Sequence, residues 1–220
     1  MHARIARVVA WISLFAAAIA LVIGHLGTHE FHWTYNQIST YAARAPNAAW
    51  MTAGMLFSAL ASVCLGLCVS WRRAREPSLL SVLAAMGFGV AAAGLVLLAC
   101  FKETAMNVPR LRQLGFDAVR QQTFHDAGLL LFFCGATFDM ATSGLIVTLE
   151  DRDYRSRLQG TMIGATGVAA GFLMTNAWPD YLGIADASIG IRQRAALFCL
   201  WIGAALLLAS LRRDRGDTSP

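Results

Sequence analysis

The chain has 220 residues, of which 57% are hydrophobic and only 14% charged, and its formal net charge is +5. Soluble domains carry about 25% charged residues, and a soluble fold of this length has too little interior to hide so much apolar surface. A disordered chain is excluded, because disorder needs low hydrophobicity and high charge. A nucleic-acid-binding domain is excluded too, despite a pI near 9.3.

A bilayer core of about 30 Å is crossed by about 20 consecutive apolar residues in a helix. Six such stretches occur, at 5–27, 47–70, 78–101, 125–149, 160–178 and 190–211. They predict an all-α polytopic membrane protein, one domain over 1–220, folded as a six-helix bundle. The first stretch follows a basic segment, as in a signal peptide. Its apolar run is longer than a signal's, and no small-x-small cleavage site follows before His25, so it reads as a retained helix.

Near the end of that stretch stand His25, His29 and His32. If the helix continued past Gly27, they would share one face at i, i+4 and i+7. Imidazole is the commonest zinc ligand, and a catalytic zinc site needs three protein ligands and an open position. These three and His125 are therefore candidate metal ligands, against a reading as solvated loop residues. The loop 28–46 then holds Asn36-Gln37-Ile38-Ser39-Thr40-Tyr41, an uncommonly polar run at a membrane boundary. Trp33, Tyr35, Tyr41, Trp50, Trp178 and Tyr181 fall near that boundary as an aromatic belt would.

In the second stretch Gly54, Ser58, Ser62 and Gly66 recur every fourth residue, and in the fifth Gly160, Gly164, Gly167 and Gly171 recur similarly. Small residues at these intervals let a neighbouring helix approach closely, within the chain or in a homo-oligomer. After the third stretch, Glu103 and, beyond the loop, His125-Asp126 are candidate acid, base or metal groups. Asp126 also fits a first helical turn, with Thr123 as its N-cap. The segment 110–122 reads as a short amphipathic helix on the membrane surface.

Asp139 lies well inside the fourth apolar stretch. An acid there is costly, so it should face the bundle interior, find a partner or remain protonated. At about 100° per residue it lies within roughly 40° of the face of His125. A hydroxyl of the Gly54-Ser58-Ser62 stripe is the simplest partner. The five cysteines all sit in apolar stretches without a C-x-x-C pair, so neither a disulfide framework nor a thiolate zinc site is expected.

Most of the 18 Lys and Arg residues cluster beside helix ends: Arg4 and Arg7, Arg72, Arg73 and Arg75, Arg152, Arg155 and Arg157, and Arg212, Arg213 and Arg215. By the positive-inside rule both termini are cytoplasmic. The longer connections, with the histidines and acids, then lie outside, where a site is expected.

Several of these features together resemble the bacterial six-helix membrane family catalogued as domain of unknown function 998. They are Asn36-Gln37-Ile38-Ser39-Thr40-Tyr41, Asn47-Ala48-Ala49-Trp50, the Phe101-Lys102-Glu103 end of helix three and His125 opening helix four. The family pattern usually has an aspartate, often after proline, where Phe101-Lys102-Glu103 stands. The resemblance implies the fold and topology, with no settled activity. His125 and Asp139 also invite a looser similarity to membrane hydrolases related to alkaline ceramidases, in which histidines, an aspartate and a serine hold zinc. That group has seven spans and a late paired histidine motif, which this sequence lacks.

The expectation is a bacterial inner-membrane protein that binds or handles a lipid or other amphiphile near the outer face. The ligand-binding candidates are His25, Asn36, Ser39, Tyr41, Glu103, His125 and Asp139. One alternative is a zinc-dependent lipid hydrolase, with catalytic candidates Glu103, His125, Asp126 and Asp139. Another is a proton-coupled carrier using Asp139 and His125. Membrane lipid is the expected partner, and nucleic acid is not.

Overall fold

The computed structural model describes residues 2–26, 38–72, 78–102, 116–150, 153–175 and 189–211. Every regular element among them is helical. In chain order they are α1 (His2–His25), α2 (Ile38–Arg44), α3 (Ala48–Arg72), α4 (Leu79–Cys100), α5 (Phe116–Glu150), α6 (Tyr154–Thr175) and α7 (Ile189–Ser210). Five of them, α1, α3, α4, α5 and α7, are long and apolar enough to cross a membrane. The remaining long helix, α6, is richer in glycine and threonine and packs between α5 and α7.

Successive long helices run antiparallel and pack side by side around a ring, α1, α3, α4, α5, α6, α7. The seam between α1 and α7 is fastened near each end. Arg7 Nη1 donates to the Leu211 carbonyl at 2.7 Å, and at the opposite end Arg194 reaches His25. The latter is called the His25 end below.

Close approach between helices is set by glycine, as the sequence stripes predict. A Cβ on Gly94 of α4 would strike the Phe132 amide of α5 and lie 2.6 Å from the Gly128 carbonyl. One on Gly135 would lie 2.6 Å from the Ala91 amide, and one on Gly87 2.9 Å from the Asp139 Cβ. Between α5 and α6, Gly144 meets Gly160 and Gly164, Gly167 meets Met140, and Gly171 meets Thr137. The stripe of α6 is thus filled by α5 of the same chain. That of α3 is divided, with Gly54 against Leu21 of α1 and Gly66 against Phe88 of α4.

Several local expectations are corrected. The loop 28–46 contains α2, whose Thr40, Tyr41 and Ala42 are buried in the mouth of the bundle. Tyr41 is only 1% exposed and so is no interfacial belt residue, whereas Trp50 is exposed. The fourth span is continuous from Phe116, because nothing between there and His125 breaks a helix. Its residues 116–122 therefore form the first turns of α5 and no separate surface helix. Thr123 lies mid-helix, donating to the Val119 carbonyl at 2.9 Å, and Asp117, not Asp126, occupies the first turn. Similarly, α6 begins at Tyr154, since Arg155 and Arg157 are good helix formers. Asn47 shows why it stands at a helix start: its amide donates to the Ile23 and Leu26 carbonyls and satisfies the open end of α1.

Candidate functional site

At the His25 end, α1, α2 and α7 bring three aromatic or cationic side chains together. His25 and Tyr41 have ring centroids 4.5 Å apart, and the Arg194 guanidinium carbon lies 5.2 Å from the Tyr41 ring centre. Arg194 Nη2 is 2.9 Å from His25 Nε2, and its Nη1 donates to the Gly190 carbonyl at 2.8 Å. A guanidinium can only donate, so Nε2 accepts. The ring hydrogen is thereby assigned to Nδ1, which donates to the Leu21 carbonyl at 2.6 Å. His25 therefore ties α1 to α7, with both ring nitrogens engaged. Beside it, Gln193 accepts the Ile38 amide hydrogen through Oε1 at 3.1 Å and ties α2 to α7.

A second group lies along the α5 face turned to α4. Both His125 and Asp139 are 1% exposed, which agrees with the helical arithmetic. His125 Nδ1 donates to the Phe101 carbonyl, the C-cap of α4, at 2.8 Å. One turn away Gln121 donates to the Lys102 carbonyl at 2.9 Å, and Phe124 stacks on Phe101 with centroids 4.7 Å apart. Together these three clasp the end of α4, where unsatisfied carbonyls collect. We expect His125→Ala to cost about 1–2 kcal/mol by removing that bond, read as a lower apparent Tm in one fixed detergent. An unchanged Tm would contradict the clasp.

Nearer the middle of α5, the neighbouring Met140 amide is the one donor near the Asp139 carboxyl, no side chain among the described residues bonds to either of its oxygens, and the Ser143 hydroxyl one turn on has no partner among them. Asp139 therefore does not reach Ser58 or Ser62 of α3; instead its backbone lies against Gly87. Between His125 and Asp139 the same face carries Gly128, Phe132 and Gly135, packed on α4. None of these side chains titrates, so among the described residues no ionisable group on this face links the two.

The third feature is a groove of about 790 Å³ formed by α5, α6 and the start of α7. It exists because the glycine contacts between α5 and α6 end at Gly171 and Thr137. Beyond that point Leu130 and Phe133 on α5 and Met174 on α6 line the groove. The lining runs along α5 from Thr123 to Ala141, about 27 Å at 1.5 Å per residue. Its polar members gather at the His25 end: Thr123, Asp126, Thr175 and Gln193. The remainder, including Leu130, Phe133, Cys134, Phe138 and Ala141, is apolar except for Thr137. Leu130 and Phe138 are each 45% exposed, so the groove opens sideways out of the bundle. Gln122 donates to Asp126 Oδ1 at 2.8 Å and orients that carboxylate at the mouth.

Behind the groove a cavity of about 40 Å³ lies near the bundle axis, lined mainly by leucine, methionine and phenylalanine, with Ser58 and Gln193. Leu129, Phe133 and Gln193 border both spaces and form the wall between them.

The sequence-derived candidates are thus distributed over separate places. His25 and Tyr41 meet at Arg194, His125 serves the end of α4, Asp139 is sealed against Gly87, and Asp126 reaches the groove. The described lining of groove and cavity includes none of His25, Tyr41, His125 and Asp139. His29, His32, Asn36 and Glu103 lie outside the described residues, as does the side chain of Ser39. Because α1 ends at His25, with Leu26 in a turn, the described residues supply no continuous helical face for three histidines. Among the described residues no three His, Cys, Asp or Glu side chains stand together as metal ligands. The hydrolase reading therefore has no described zinc site to build on.

Sequence reasoning singled out neither Gln193 nor Arg194 and placed Gln122 only in a surface segment. The available signal was polarity inside an otherwise apolar window, which drew attention to Asp139 but not to Gln193-Arg194 at the start of the last span.

No curated protein and no solved structure matches the chain. A family model described as protein of unknown function (DUF998) matches residues 11–210, across all the long helices, and the chain therefore belongs to that family.

Proposed function

We propose that the protein is a multi-pass bacterial inner-membrane protein that holds the chain of a lipid or other amphiphile in the α5–α6–α7 groove. In this reading α6 is a sixth span, both termini are cytoplasmic, and the His25 end faces outward. The clustered arginines at the opposite helix ends support that orientation.

One observation carries the proposal: the groove is polar at one end, apolar along the rest of its length, and open to the side. An amphiphile has the same division. Its volume lies in the range of about 300–1,000 Å³ typical of small-molecule sites. The surrounding lipid supplies the ligand laterally, so no opening through the bundle axis is needed.

The test is saturable binding of a fluorescent polyene alcohol to protein in nanodiscs. Cys134 is exposed and lines the groove, so Cys134→Trp should fill it without disturbing the core. We expect one saturable site in the wild type and at least roughly tenfold weaker binding in the variant, the scale of losing one well-buried hydrophobic contact. Binding that rises linearly without saturation, or that Cys134→Trp leaves unchanged, would remove the proposal.

A further inference from the structure

Resting on the groove reading, we infer that the α5–α6–α7 groove selects a repeatedly methyl-branched chain, of the isoprenoid kind, over a straight one. Volume and length decide between them. About 790 Å³, spread over the roughly 27 Å of α5 that lines the groove at 1.5 Å per residue, gives a mean cross-section of about 29 Å². A zigzag of carbon–carbon bonds near 1.5 Å at about 111° advances about 1.25 Å per carbon. Benzene occupies an apolar cavity of about 150 Å³, so each carbon takes about 25 Å³. A straight chain therefore has a cross-section of about 20 Å², two side by side about 40 Å², and a chain with a methyl on every fourth carbon about 25 Å². One straight chain leaves about a third of the groove unfilled, and the walls lose those contacts. Two chains do not fit side by side. The branched chain comes nearest to filling the groove.

The α5 wall has a matching relief. Ala127, Cys134 and Ala141 line the groove and recur every seventh residue, so they form one row of small side chains about 10.5 Å apart. The bulkier Leu130 and Phe138 stand between them along the helix. Branches of an isoprenoid recur every four carbons, about 5 Å, so every second branch falls at one of these notches. A straight chain has nothing to place there. The selection is made along the apolar length and asks nothing of the polar residues at the mouth.

The experiment displaces the polyene alcohol from wild-type protein in nanodiscs with phytanol, hexadecanol, icosanol and dihexadecylglycerol, compared by mole fraction in the bilayer. All four present a hydroxyl. Phytanol is the hexadecanol backbone with added methyl branches, and icosanol has the same number of carbons as phytanol in a straight chain. Phytanol should displace the probe at roughly tenfold lower mole fraction than hexadecanol or icosanol, the scale of filling the space that they leave. In Ala127→Val, which builds two carbons into one notch, that ratio should move toward one while hexadecanol displaces as before. If no compound displaces the probe from wild type, the groove reading itself fails. If hexadecanol or icosanol displaces it as well as phytanol does, the chain selection is overturned and the groove stands. Dihexadecylglycerol as the strongest competitor would overturn it in favour of two chains, and an unchanged phytanol advantage in Ala127→Val would overturn the seating of branches at the notches.

Discussion

Gly94→Ala is expected to lower stability by about 3 kcal/mol, near the top of the range for overpacking, and the apparent Tm by roughly 10 °C. The reason is geometric. The new methyl would collide with the Phe132 amide, sit 2.6 Å from the Gly128 carbonyl and 2.8 Å from the Phe132 Cα. All three are backbone atoms, and no side chain can swing aside, so α4 and α5 must separate. The movement would loosen the contacts of Gly87 with Asp139 and of Gly135 with Ala91 on the same interface. Gly89 is the matched control, two turns or less away on α4, with nothing within 4 Å of its added methyl. Gly89→Ala should be neutral or stabilising by up to about 1 kcal/mol through helix propensity. Thermal unfolding of the two variants in one detergent decides the matter, and equal losses would contradict glycine packing at this interface.

Asp139→Ala should have the opposite sign, raising stability by about 1–3 kcal/mol, the cost of a buried polar group left without a hydrogen bond. Among the described residues no side chain bonds to its two oxygens, near which the Met140 amide is the one donor, the Ser143 hydroxyl has no partner, and the residue is sealed from solvent. The methyl that remains keeps the contact with Gly87 made by the Asp139 Cβ and backbone. The measurement is again the apparent Tm. A fall of about 3–5 kcal/mol, as follows from breaking a buried paired charge, would mean that Asp139 has a strong partner and would overturn its description as an orphan. A stabilising result would identify Asp139 as a residue held at a cost to the fold, which is characteristic of positions kept for function.

The spans were legible because hydrocarbon imposes a plain demand, a run of apolar residues long enough to cross it. The observed bounds of α1, α3, α4 and α7 accordingly lie within a few residues of those read from apolar runs. Helix ends were less legible where the helix leaves the apolar zone. Polarity does not stop a helix that has no breaker, and α5 therefore begins at Phe116 and α6 at Tyr154. The short α2 carried no apolar period, and its burial depends on the mouth that α1, α3 and α7 make around it.

The glycine stripe of α6 and the shared face of His125 and Asp139 were readable because both follow from helical periodicity alone. What periodicity could not supply was which helix lies opposite. Asp139 was expected to meet a serine of α3, but its neighbour is Gly87 of α4. The groove was invisible for the same reason. It is created by the place where Gly171 and Thr137 end a run of close contacts, a relation between two helices that neither sequence segment records. His25 looked like a metal ligand by residue type and spacing, while its actual partners are a carbonyl on its own helix and Arg194, far along the chain.

Photolabelling with a hexadecyl alcohol carrying a diazirine along its chain, on wild-type protein in nanodiscs, maps directly where such a chain lies. Labelling should concentrate on Leu130, Cys134, Phe138 and Met174, saturate with probe and be suppressed by Cys134→Trp. The lipid-facing side of α1, at Phe15 and Ile19, should be labelled weakly and without saturation. Labelling spread evenly over both surfaces in proportion to their exposed apolar area would mean that the groove holds no chain.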